Sequence, residues 1–157
     1  MARDLIHQAC RRALEKDGWT ITHDPFIIQA GGLRMDIDLA AEQAFAAERG
    51  LEQILVEIKS FISKSKLTDF YEAKGKYDMY KRGLKRSKID RKLYLAIEKR
   101  VYESFFQKPL IAETIEDEQI QLIVFDAETE IIEQWIINKK ISNNHQRHAK
   151  TLRRYAR

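Results

Sequence analysis

A chain of 157 residues, 44% hydrophobic and 33% charged, is about the size of one domain and can bury a core of its own. It has no apolar run of the roughly 18 residues that a bilayer crossing needs, and its first residues, "MARDLIHQAC", read as an amphipathic helix, so no hydrophobic leader is expected there. Its one cysteine, Cys10, rules out an internal disulfide, and a reducing, cytoplasmic setting with no membrane contact is expected.

The net charge of +4 is uneven: residues 139–157 hold seven Lys/Arg and no acid, leaving 21 bases against 24 acids elsewhere. This division suggests one domain over residues 1–138 followed by a basic tail. Such a tail either touches nucleic acid or an acidic partner, or stays solvated.

In chain order, residues 3–16 set Leu5, Ile6, Ala9, Cys10, Ala13 and Leu14 on one helical face, and Gly18 is a fitting stop. Cys10 falls among these apolar positions and reads as a buried, inert thiol. Strands are expected at 19–22 and 26–29, with His23-Asp24-Pro25 between them. Gly31-Gly32 leads into a third strand at 33–40. The stretch 40–50, "AAEQAFAAERG", has helical composition but stands between two strands, where it could continue a long hairpin turning near Gly50.

Residues 53–61 read as a central strand. Residues 65–84 read as an amphipathic helix capped by Ser65, with Leu67, Phe70, Tyr77, Tyr80 and Leu84 on its face. A basic stretch, "KRGLKRSKIDRK" (81–92), precedes a strand at 92–97, a helix at 99–107 and a short helix from Pro109 to about Glu118. Strands at 120–126 and 130–137 close a hairpin around "DAETE". Trp19 and Trp135 fit core positions better than stacking platforms. The expected fold is α/β, a mixed central sheet flanked by helices.

The chemistry concentrates in "ILVEIKSF" (54–61). Alternation along a strand puts Glu57 and Lys59 on one face, and in the same way Asp36, Asp38 and Glu42 share a face if their strand runs on. A carboxylate in an otherwise apolar, central strand needs a partner. Either a cross-strand ion pair or a metal would serve. Acids from two adjacent strands suit a hard divalent cation, Mg²⁺ or Mn²⁺, which takes oxygen ligands and keeps several waters. A nearby ammonium can stabilise charge developing on a phosphate.

Register is the difficulty. If the hairpin turned at Gly50, Glu57 would pair near Gln43 and Asp38 would lie roughly 17 Å further along the strand. Either 40–50 shifts the register, or Glu42 is the nearer acid.

The order of elements, with an acid on one strand and Glu-x-Lys on the next, resembles the restriction-endonuclease-like PD-(D/E)xK fold. More closely, "KDGWTITHDP", "IDLAAE", "VEIKSF" and "LIVFD…IIEQW" resemble the XisH family, known as excision controlling factors for the fdxN element of cyanobacteria. The resemblance spans roughly residues 3–137. It implies Asp38, Glu57 and Lys59 as catalytic residues, with Asp38 and Glu57 holding Mg²⁺ or Mn²⁺. Glu42, His7, Lys76 and Tyr80 are secondary candidates, the last two standing where recombination nucleases carry Gln-x-x-x-Tyr.

It further implies DNA as a partner, with a second, XisI-like excision factor or a site-specific recombinase, and leaves a homo-oligomer open. Two functions follow from it: a Mg²⁺-dependent nuclease-like protein, or an inactive accessory protein that keeps the fold and binds a recombinase or second factor. His145 and His148 lack supporting ligands and are given no metal role.

Overall fold

The apolar spacing of the first residues builds α1 (Ala2–Lys16), which buries Ala9, Cys10, Ala13 and Leu14. Leu5 is exposed, so the apolar face is narrower than its sequence spacing suggests. Gly18 ends the helix with φ +93°, a conformation that a side chain resists, and Trp19 N–H donates to the Leu14 carbonyl at 3.0 Å. The computed structural model describes residues 2–45, 50–138 and 152–156, with side chains for 2–44 and 50–138. The expectations about His145, His148 and most of the basic tail lie outside the described residues.

The chain continues through β1 (Thr20–His23), β2 (Phe26–Ala30), β3 (Leu33–Ile37), β4 (Leu39–Phe45), β5 (Gly50–Ile58), α2 (Lys66–Arg86), β6 (Lys92–Glu98) and α3 (Lys99–Glu103). It ends with α4 (Pro109–Asp117), β7 (Leu122–Asp126), β8 (Ile131–Asn138) and β9 (Leu152–Ala156). The main sheet has the order β1-β4-β5-β6-β7-β8-β9, and β2 and β3 form a separate ribbon. The pairs β5–β6 and β6–β7 are parallel, as expected of strands joined by helical crossovers, while the outer pairs are antiparallel. The expected α/β class with a mixed sheet flanked by helices is what forms.

Alternation along the sheet sorts the core into two layers. Leu39, Ala41, Ile54, Val56, Tyr94 and Phe125 pack with α1 and Trp19. Ala40, Leu55, Leu95, Ile97, Leu122 and Val124 pack with Phe70, Tyr77 and Leu84 of α2 and with α4. Trp19 and Trp135 are buried core residues, with ring centroids 5.6 Å apart. Cys10 is fully buried, which pushes its thiol well above the ordinary value, with the Asp38 charge adding to the effect. Among the described residues, no helix is long and apolar enough to cross a membrane.

Three local readings are corrected. The strand expected over 33–40 breaks at Asp38: β3 belongs to the ribbon and β4 to the main sheet, so the chain turns a corner there. The long hairpin expected over this stretch 40–50 forms, with residues 40–45 in β4, but Phe45 pairs with Gly50, so Gly50 opens β5 instead of turning the hairpin. The helix expected over 99–107 is α3 followed by a short 3-10 turn, Phe105–Gln107, that buries both of its phenylalanines.

On α2, Ser65 is the cap, its Oγ accepting from Thr68 N–H at 3.1 Å. Leu67 is exposed instead of lying on the apolar face. Ser65→Ala is expected to cost about 1 kcal/mol, read as a lowered midpoint in urea unfolding; an unmoved midpoint would show that the cap contributes nothing.

Candidate active-site cleft

The hairpin register decides which acids meet. Leu39 pairs with Val56, so the next position outward sets Asp38 opposite Glu57. The two side chains interlock with the facing backbone. Asp38 N–H donates to Glu57 Oε1 at 3.2 Å, and Ile58 N–H donates to Asp38 Oδ2 at 2.8 Å. The 17 Å separation that a turn at Gly50 would have produced does not exist. Glu42 instead pairs with Gln53 and Thr20. Four strand positions, roughly 13 Å, separate it from the level of Glu57, so it is not the nearer acid.

Glu57 is 5% exposed. Burial, and then the neighbouring Asp38 charge, push its carboxyl up to about 8, against smaller lowerings by the Asp38 N–H bond and then by Lys76. Both effects disfavour the carboxylate because a second negative charge is being held in a poorly solvated place. The Lys76 ammonium stands 3.9 Å from Glu57 Oε2 and is about half exposed, so it offsets this only in part.

The strand expected over 53–61 ends at Ile58, so Lys59 is the first residue beyond β5 and does not share a strand face with Glu57; its ammonium turns to α2. Its Nζ is 2.6 Å from Glu72 Oε2 and 3.8 Å from Asp69 Oδ1, both on α2. Asp69 is itself buried and fixed, accepting from Ser63 N–H at 3.1 Å and Ser63 Oγ at 2.8 Å. Tyr80 donates to the Asp36 carbonyl at 3.0 Å. Burial and the surrounding Glu57, Asp38 and Asp36 charges raise its phenol above the ordinary range. His7 is held through Nε2 by Asp24 Oδ1 at 2.9 Å, and Arg11 holds the other oxygen of that carboxylate at 2.7 Å.

Apart from Arg11 and Asp24, these side chains line one cleft of about 960 Å³ between the start of α1, the Asp38 corner, the end of β5 and α2. Six carboxylates and three cationic side chains line it, a net negative surface. Asp38, Glu57, Lys59, His7, Lys76 and Tyr80 are all on its wall, and Glu42 is not. Asp36, expected on the same strand face, sits on the ribbon opposite Ile27, exposed and paired with Arg34.

Asp69 and Glu72 escaped the sequence reading. Their signal was there: Asp69, Glu72, Lys76 and Tyr80 recur at helical spacing and form a polar stripe beside the apolar face of α2. The basic stretch 81–92 divides between the last turn of α2 and the loop before β6, where Arg91 lies over the Phe26 ring at 5.0 Å.

Among the described residues, no three His, Cys, Asp or Glu side chains gather as a metal site. The facing pair Asp38–Glu57 therefore offers two carboxylates and no more. That donor set fits a hard divalent cation that keeps most of its waters. The buried Glu57 carboxyl, with only partial compensation, is the kind of group whose charge such a cation stabilises.

A mixed sheet wrapped by helices, with a carboxylate pair set into a cleft at the end of its internal strands, defines an α/β protein with one polar, acid-lined site. The chain belongs to the XisH family, whose model, described as XisH protein, matches residues 1–133. It is similar to the crystal structure of an XisH family protein from Nostoc punctiforme PCC 73102, at 40% identity over 86% of this chain and 100% of that one, with TM-score 0.77. It is also similar to the crystal structure of an fdxN element excision controlling factor protein from Anabaena variabilis, at 38% identity over 84% of this chain and 98% of that one, again with TM-score 0.77. No curated protein matches.

Proposed function

We propose that this chain is a restriction-endonuclease-like, divalent-cation-dependent phosphodiester hydrolase that acts on DNA during excision of a DNA element. The observation that carries the reading is the facing pair Asp38–Glu57, with Glu57 buried and its carboxyl raised to about 8. Excision is the context named for the Anabaena variabilis relative.

Asp38 and Glu57 would hold the cation, Mg²⁺ or Mn²⁺, which when bound lowers the pKa of a water and polarises a phosphate. The remaining work falls to the chain. Lys59, just past the end of β5 and on the wall of the same cleft, offers an amine whose charge can offset the anion forming at phosphorus. Lys76 faces the same carboxylate and adds a second positive charge at the mouth. The two carboxylates hold each other's backbone in place, so neither has to move to act. The acidic lining makes a cation a precondition for a polyanion to enter.

The test is incubation of supercoiled and linear DNA with Mg²⁺, for the wild type beside Glu57→Ala and Lys59→Ala. Each variant is expected to lose about 10²-fold or more of the cleavage rate. Equal cleavage by all three would remove the assignment.

A second reading has its own observation, the capture of Lys59 by Glu72 and Asp69. It makes the chain an accessory protein that keeps the fold and binds a recombinase or second excision factor. DNA or partner binding that survives Glu57→Ala, with no heat of cation binding in the wild type, would favour it.

A further inference from the structure

The lysine that follows β5 lines the same cleft as Asp38 and Glu57 but pairs with neither. Among the described residues, the ion pairs of Lys59 run to Glu72 and Asp69, and neither Asp38 nor Glu57 is within pairing distance. The two partners differ in kind. Asp69 is buried and tied by two hydrogen bonds from Ser63, so it is a fixed post. The Glu72 side chain is 55% exposed and accepts the short bond from Lys59 at 2.6 Å. The Lys59 ammonium also holds the Glu72 carboxyl below its ordinary value. The Lys59 side chain is 18% exposed, so the pair is open to solvent on its Glu72 side, and it is there that a competing anion can exchange with the carboxylate. A phosphate brought to Lys59 is therefore able to displace the Glu72 carboxylate.

We infer that Glu72 is a positioning residue that latches the site: with Asp69 it draws Lys59 onto α2 and away from Asp38–Glu57, and Lys59 serves the reaction only after Glu72 lets go. The inference rests on the hydrolytic reading for its consequence, while the latch itself is a property of the cation-free chain. It explains how a site with its lysine averted can belong to a working enzyme. It also gives the chain a resting state in which its amine is masked.

The test separates the two. Lysine amines are acetylated with limiting acetic anhydride in the full chain without cation, and each site is read by mass spectrometry. In Glu72→Gln, Lys59 labelling is expected to rise ~threefold, the ratio equivalent to one ion pair with a solvent-facing carboxylate. Glu72→Asp, which keeps the charge, is expected to return it toward wild type. Lys59 labelling equal to wild type in Glu72→Gln overturns the latch.

Cleavage is then measured with Mg²⁺. A higher kcat at unchanged KM in Glu72→Gln, abolished by adding Lys59→Ala, supports the latch. Raised labelling with slower cleavage than wild type overturns it, because Glu72 would then be aiding Lys59. Raised labelling with no cleavage by any chain leaves the latch standing and ends the hydrolytic reading.

Discussion

Replacing Glu57 with Gln is expected to raise the thermal midpoint of the cation-free protein at pH 8.5 and to remove most of its decline between pH 5 and 8. The sign follows from proton linkage. The carboxyl of Glu57 stands near 8 in the fold against an ordinary 4.5. Between those values the folded chain holds a proton that the unfolded chain has released. The stability contributed by neutral Glu57 is whole below pH 4.5, falls as pH climbs and is gone above about 8.

The total is on the order of a few kcal/mol, and it belongs to the Asp38–Glu57 pair rather than to one residue. Gln has the shape of Glu without the ionisation, so the variant has nothing to lose. Melting in chelator at several pH values checks this. A wild-type midpoint that stays level from pH 5 to 8 would contradict it. Adding Mn²⁺ at pH 8.5 is expected to raise the wild-type midpoint and leave that of the variant unmoved.

Phe61→Ala is expected to cost about 3–5 kcal/mol. Phe61 is 2% exposed and packs against Phe106 and Phe105, with centroids at 5.4 and 5.9 Å. Phe70 joins the same group of rings. Phe61 sits at φ +50°, rare for a bulky side chain, so ring packing must hold the backbone where it is. The same short segment carries Lys59 and the Ser63 that fixes Asp69. Loss of the ring is therefore expected to lower stability and also to loosen Lys59 in molecules that remain folded.

Leu67→Ala, at an exposed position on α2, is the comparison and is expected to stay within about 0.5 kcal/mol. Urea unfolding measures both. A Phe61→Ala cost no larger than that of Leu67→Ala would deny the aromatic cluster its supporting role.

The sequence disclosed types of element more readily than their joints. The apolar spacing of α1 and α2 and the runs of β6, β7 and β8 carry strong local signals, because each needs only one face or one strand buried. The two misread joints both bear on the site. Gly50 looks like a turn residue because glycine usually marks one, yet it is the first paired residue of β5. Asp38 looks like one more alternating position, yet it is the corner where the chain leaves the ribbon for the sheet.

A few residues of error in the turn moved Asp38 from far away to directly opposite Glu57. Nothing in composition encodes that shift, because it is set by pairing across strands. Glu72 and Asp69 were hidden for a different reason. Polar residues on an amphipathic helix read as solvated until a lysine from another element is found on them. Glu57 and Lys59 were legible because a charge in an apolar strand must be satisfied by something.

The most direct test of the cation site is a crystal soaked in Mn²⁺ and measured at the manganese edge. One anomalous peak bounded by the Asp38 and Glu57 carboxylates is expected, with the Lys76 ammonium displaced from Glu57. A map with no peak there, and Lys76 still resting on Glu57, would contradict such a site.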